Sequence, residues 1–296
     1  MELKFKSLSI FEFQQRFPDD RNCYQYLSEL RWKEGFVCPK CGHSHYCKGH
    51  KEFDRQCTKC RHTVSPTAGT LFHKVKFPIL KAFWIIYYMS TSKKGISSTE
   101  LSRKLELLQK TAWLFQRKVK AAMQSSENYP LEGNIVVDEL VVGGQEEGVR
   151  GRKNKKKNLV VFAIEKKGKG VSRLYGKVIS HASSKELGKF MVSTIAKDAN
   201  IETDGWRGYT PLKKDFPNLK QTKSEKKGSN FKQIHRVIMG FKGWLRGIHH
   251  HAEHLQSYID EYTYRFNRSF MKEGLFENLM NRMILGKPLT YKMISS

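Results

Sequence analysis

The chain has 296 residues, with 54 Lys or Arg against 28 Asp or Glu and a formal net charge of +26. A hydrophobic fraction of 39% and an aromatic fraction of 12% exclude a disordered basic tail and allow two or three packed units. So large a surplus of Lys and Arg points to a polyanionic partner, double-stranded DNA above all, bound in a salt-dependent way.

Residues 7–35 carry Phe11, Phe13, Phe17, Tyr24, Leu27, Leu30 and Trp32 at roughly helical spacing and read as a helical lead-in. Two Cys-x-x-Cys knuckles follow, Cys38 with Cys41 and Cys57 with Cys60, separated by fifteen residues. That spacing is the signature of a zinc ribbon, because four thiolates select tetrahedral Zn²⁺ and each short knuckle turns its backbone around the metal. Strands are expected near Tyr46–His50, Lys51–Arg55 and His62–Ser65. Cys23 and Cys47 are left as ordinary small side chains. Four metal-bound thiols, with no apolar signal core after Met1, lead to the expectation of a reducing, cytoplasmic setting. The most apolar run, Phe83–Met89, is too short to span a bilayer, so no membrane partner is expected.

Pro78 opens a helix over Ile79–Ser90 as a favoured first-turn residue. Lys94–Leu105 and Gln109–Lys120 then have the outline of a helix-turn-helix, with Ser97 or Ser98 as cap and Glu100 in the first turn. In the second of these helices Arg117, Lys118 and Lys120 are the residues expected to meet phosphate. The same pattern also fits a plain helical hairpin.

Past Ser125–Pro130 the pattern becomes strand-like. Asn134–Val142 is an apolar strand interrupted by two acids, Asn158–Glu165 and Val171–Ser180 are further strands, Ser183–Ala196 is a helix, and Ile201–Asp204 is a fourth strand. Between the first two runs a basic loop in which Arg150, Arg152, Lys153, Lys155, Lys156 and Lys157 would face solvent or a phosphate backbone. Helices follow at Phe231–Gly247 and His254–Arg268. Three domains are expected: the lead-in and ribbon over 1–72, a helical DNA-binding segment over 73–125, and an α/β domain over 126–296.

An ionised Asp138 in the middle of an apolar strand is costly unless paired or bound to metal. Asp204 ends a neighbouring strand, at the carboxyl edge where open α/β sheets hold ligands. Two such carboxylates can share Mg²⁺ or Mn²⁺ for in-line phosphoryl transfer.

These stretches together resemble bacterial insertion-sequence transposases of the ISXO type. Five segments carry the resemblance in order: Cys38–Gly42, Val137–Gly144, Thr203–Tyr209, Lys242–His249 and His254–Arg268. It implies an RNase H-like mixed sheet with flanking helices behind a zinc ribbon and a helix-turn-helix-like segment. It also implies a metal-dependent polynucleotidyl transferase that binds terminal inverted repeats and works as a homo-oligomer on DNA. Asp138 and Asp204 would be the first two members of the metal triad. Lys242 matches the family's basic residue, and seven positions earlier stands His235 where a glutamate would be expected. Imidazole suits Mn²⁺ better than Mg²⁺, so His235 could instead hold water or relay a proton. Glu225, Asp260 and Glu261 are alternative third ligands, Glu261 foremost because Arg268 follows it by seven residues. A non-catalytic regulator and a nuclease without strand transfer are the competing readings.

Overall fold

The computed structural model describes residues 8–125, 129–143, 157–248, 254–271 and 274–295. Its contacts divide the chain into two compact units, Met1–Met123 with Phe270–Ser296, and Gln124–Ser269.

In the first unit the expected lead-in is two helices, α1 (Ile10–Arg16) and α2 (Asp20–Arg31). The break has a local cause. Ser9 and Glu12 form a reciprocal capping box for α1, Pro18 follows its end, and Asp19 caps α2 through the Asn22 amide. A three-stranded antiparallel sheet follows, β1 (Tyr46–Lys48), β2 (Arg55–Cys57) and β3 (Thr63–Val64). Strand β2 lies later than expected, because residues 51–53 form the turn from β1. Helices α3 (Ile79–Thr91), α4 (Ser98–Leu105) and α5 (Gln109–Met123) complete the N-terminal part. Ser97 caps α4, and Glu106 ends it in a left-handed conformation that turns the chain into α5.

The second unit is a five-stranded mixed sheet. Strands β4 (Asn134–Val142), β5 (Asn158–Lys167) and β6 (Gly170–Ile179) are antiparallel neighbours. Helix α6 (Ser184–Thr194) crosses back to β7 (Asn200–Thr203), which pairs in parallel with β4. A 3₁₀ segment, Arg207–Lys214, leads to β8 (Leu219–Gln221), parallel to β7. The order is β6-β5-β4-β7-β8, the RNase H-like sheet that the resemblance implied. Period-2 alternation along β4 separates two cores. Ile135 and Val137 face α6 residues Leu187, Phe190 and Met191 with Tyr209. Val136 and Leu140 face α7 (Lys232–Ile248) and α8 (Leu255–Asn267). On α7 the residues Ile234, Val237, Ile238, Phe241 and Leu245 form the apolar stripe that meets the sheet.

Helices α9 (Gly274–Leu285) and α10 (Tyr291–Ser295) return to the first unit. The α/β domain had been expected to run to residue 296; its compact unit ends at Ser269. The reason is the apolar face of α9: Phe276 packs its ring among Phe13, Phe17 and Phe83, and Arg282 donates to the Ala122 carbonyl at 2.7 Å.

Candidate active site and zinc ribbon

The ribbon brings all four predicted cysteines together. Cys38 and Cys60 sulfurs are 3.6 Å apart, as are those of Cys41 and Cys57, and all four lie within 4.8 Å of one another. A disulfide would need about 2.0 Å. Tetrahedral thiolates at about 2.3 Å from Zn²⁺ stand about 3.8 Å apart, so the four sulfurs fit that ion. The knuckles are alike: Cys38 N–H donates to the His43 carbonyl and Cys57 N–H to that of His62, and the residue after each second cysteine, Gly42 and Arg61, has positive φ. Burial opposes ionisation of Cys38 and Cys57. Backbone amides at Lys40 and Cys41, and at Cys60 and Lys59, outweigh it; both thiols fall below their usual range, Cys38 to about 7. Cys47 lies outside this cluster, against Gln56, and Cys23 is buried on α2.

In the second unit the parallel pairing of Val137 with Thr203 makes Asp138 and Asp204 the next residues on adjacent chains. Asp138 points to the α7 side of the sheet, where its Oδ2 meets His235 Nε2 at 3.3 Å. Its Oδ1 accepts the Glu139 amide at 2.8 Å. Burial raises the Asp138 carboxyl above its usual range; His235 and the Glu139 amide pull it down, and Asp204 adds to the rise. Asp204 is oriented by the Trp206 amide, which donates to its Oδ1 at 3.0 Å. The two aspartates and Glu139 each offer an oxygen within 4.8 Å of the others, a hard, anionic donor set that fits Mg²⁺ or Mn²⁺. Glu139 escaped the sequence reading as a site residue. Its signal was the pair of adjacent acids in one apolar strand.

His235 is held from behind. Gly228, at φ +66°, lies so close to the ring that an added Cβ would come within 2.0 Å of Cε1. Lys242 is two turns further along α7, half-buried. Trp206 is 40% exposed, with its indole N–H on the Ala182 carbonyl at 2.8 Å. Tyr209 is fully buried, and burial beside Glu139 keeps its phenol protonated far into the alkaline range.

Glu261 does not belong to the site. It is 1% exposed on α8 and bonds the Arg265 guanidinium at 2.7 Å and 3.0 Å. Asp260 accepts from Gln256, and Glu225 from Ser229. The expected DNA contacts on α5 also change. Lys120 is 1% exposed and so cannot meet phosphate. Lys118 directs its Nζ to the His73 carbonyl at 3.2 Å, and burial lowers its ammonium pKa. Arg117 stays half-exposed over the Trp113 ring at 5.8 Å. Arg150, Arg152, Lys153, Lys155 and Lys156 lie outside the described residues; Lys157 is half-buried at the start of β5. Among the described residues, no helix is long and apolar enough to cross a membrane.

An RNase H-like sheet with one aspartate midway along β4 and a second just past the carboxyl end of the adjacent β7, in a chain that also carries a four-cysteine ribbon, defines the class of DDE-type transposases. Residues 130–267 match the ISXO2-like transposase domain, and residues 18–63 match the transposase zinc-ribbon domain. The chain belongs to this family of insertion-sequence transposases. It is 22% identical over 219 residues to an uncharacterized protein in transposable element ISH50 of Halobacterium salinarum, a match covering 67% of this chain and 72% of that one. Among solved structures, a pre-cleavage Mos1 transpososome is 11% identical with a TM-score of 0.29, covering 69% of this chain and 79% of the other. A Mos1 strand transfer complex is 12% identical with a TM-score of 0.30, covering 70% and 79%. At such scores the fold assignment rests on the strand order described above.

Proposed function

We propose that this transposase binds the terminal inverted repeats of its element, cuts a phosphodiester there, and joins the freed 3′-hydroxyl to target DNA. The observation that carries this reading is the meeting of Asp138, Glu139 and Asp204 oxygens within 4.8 Å, with His235 beside Asp138. When bound, Mg²⁺ or Mn²⁺ would supply Lewis-acid activation of the attacking and leaving oxygens. Asp138 and Asp204 bind the cations from adjacent strands. His235 takes the proton released from the attacking water or hydroxyl at Nδ1, and Asp138, which accepts from Nε2, stabilises the imidazolium so formed. Lys242, on the same helix face, neutralises phosphate charge.

Double-stranded DNA is the partner this reading requires. Of the basic contacts expected on described residues, Arg117 and Lys157 are the ones this reading retains. Both element ends must be processed together, so the active form is a homo-oligomer on DNA. The ribbon, with structural zinc, recognises or scaffolds the ends and takes no part in the chemistry.

The test is a strand-transfer assay with Mg²⁺ or Mn²⁺ on oligonucleotides carrying the element ends, comparing wild type with Asp138→Ala and Asp204→Ala. Cleavage and joining by wild type alone are expected. Cleavage without joining would make the protein a nuclease. Binding without cleavage would make it a regulator.

A further inference from the structure

We propose that Glu139 supplies the third hard oxygen of the catalytic cation site, so that the site is completed from β4 itself and His235 on α7 is left to handle protons. This rests on the functional reading above. Successive side chains of a strand point to opposite faces, so Asp138 and Glu139 should diverge. They converge because β7 stops at Thr203. Beyond that residue β4 has no strand on that side, and the space is occupied by the departing Asp204. Asp138 reaches it from the α7 face, and Glu139, longer by one methylene, reaches it from the α6 face. Their oxygens and one of Asp204 then lie within 4.8 Å of one another.

A second observation points to the same place. The Tyr209 ring is fully buried in the α6-side core, and its hydroxyl interacts most with Glu139 and more weakly with Asp138 and Asp204. That hydroxyl closes no hydrogen bond of ordinary length. A buried donor without an acceptor is costly, and a small movement of the Glu139 carboxylate toward it would remove the cost. Tyr209 is therefore a positioning residue for Glu139. Ligand chemistry agrees, since Mg²⁺ takes oxygen donors and imidazole serves it poorly. The other acids near α7 and α8 are engaged elsewhere: Glu261 with Arg265, Asp260 with Gln256, and Glu225 with Ser229.

The experiment is Mn²⁺ binding to the full-length chain, read from the loss of free-ion electron paramagnetic resonance. Wild type, Glu139→Gln, Asp138→Asn, His235→Ala and Tyr209→Phe would be compared, with circular dichroism and zinc content confirming folding. Glu139→Gln and Asp138→Asn should each weaken binding by at least about tenfold. His235→Ala should bind as wild type does, and Tyr209→Phe should fall between. Wild-type affinity in Glu139→Gln, alongside lost affinity in Asp138→Asn, would overturn the role of Glu139 and leave the site reading standing. Lost affinity in His235→Ala would return the third ligand to the helix and overturn the proposal. Unchanged affinity in Asp138→Asn would overturn the site reading itself. Should Glu139→Gln fail to fold, Glu139→Asp replaces it; weakened binding is expected, and wild-type binding overturns the proposal.

Discussion

His235 Nε2 stands 3.3 Å from Asp138 Oδ2, and Gly228 closes on the ring from behind. The pair joins helix α7 to strand β4 at the point where the acidic cluster opens. The ring cannot move back toward the 3₁₀ segment Lys226–Phe231 unless that segment moves as well.

Gly228→Ala should therefore act on catalysis through His235. The new Cβ would lie 2.0 Å from Cε1 and 2.5 Å from Nδ1, at a φ of +66° that already disfavours side chains. Displacing a general base costs on the order of 10²-fold or more in rate. DNA cleavage should fall by about that much while Mn²⁺ affinity stays at the wild-type level. Single-turnover cleavage and metal binding on the same preparation check both halves. Unimpaired cleavage would remove His235 from proton transfer.

Zinc should be required by the ribbon and not by the acidic cluster. Structural Zn²⁺ sites contribute on the order of 10 kcal/mol to small domains. Cys57→Ser should lower the zinc content from one ion per chain and melt the β1–β3 sheet. Mn²⁺ binding at Asp138 and Asp204 should survive. Zinc analysis and Mn²⁺ titration on the variant decide the point; a shared loss would mean that the two sites are not independent.

The α5 cations should separate into two behaviours. Lys120 is 1% exposed, so Lys120→Ala removes packing and should cost about 2 kcal/mol in stability. The slope of DNA affinity against salt should stay unchanged. Arg117→Ala should leave stability within about 0.5 kcal/mol and reduce that slope by about 1. Thermal melts and a salt series of DNA binding test the contrast, which fails if Lys120→Ala lowers the slope.

Acid should remove one defined contribution. Burial would raise the Glu165 carboxyl, but the Arg173 guanidinium, the Glu132 amide and Ser172 outweigh it and hold it below the ordinary value of 4.5. A carboxyl depressed in the fold stabilises above its unfolded pKa, and that stability is lost as pH falls through the folded value. At neutral pH, Glu165→Gln should cost about 1–2 kcal/mol, because both partners are largely buried, at 16% and 29% exposure. The difference should close as pH falls below 4.5 and through the depressed folded value. Urea unfolding at several pH values measures it; a gap that persists in acid would contradict the assignment.

Much of this molecule can be read along the chain because its signals are local. The two cysteine pairs needed only spacing, since each knuckle is built from consecutive residues and their amides. Asp138 was visible as an acid in an apolar run, and Asp204 as an acid before a turn. The lead-in helices, α3 to α5 and four of the five sheet strands followed from periodicity and caps. Strand β8 was missed because three residues, Leu219–Gln221, are too few to show an alternation.

Sequence alone thus determined the four-cysteine ribbon, the basic character, the α/β half and the two aspartates, all properties of residues close in the chain. Tertiary structure decided the rest. It buried Lys120 and Glu261, and set Phe276 among Phe13, Phe17 and Phe83. It also brought Glu139 round to the same opening as Asp138 and Asp204, against the period of the strand. Each of these depends on where a neighbouring element begins or ends. No local pattern contains that information, because packing joins residues far apart in the chain, 65 positions for Glu139 and Asp204 and 263 for Phe13 and Phe276, through shape and burial.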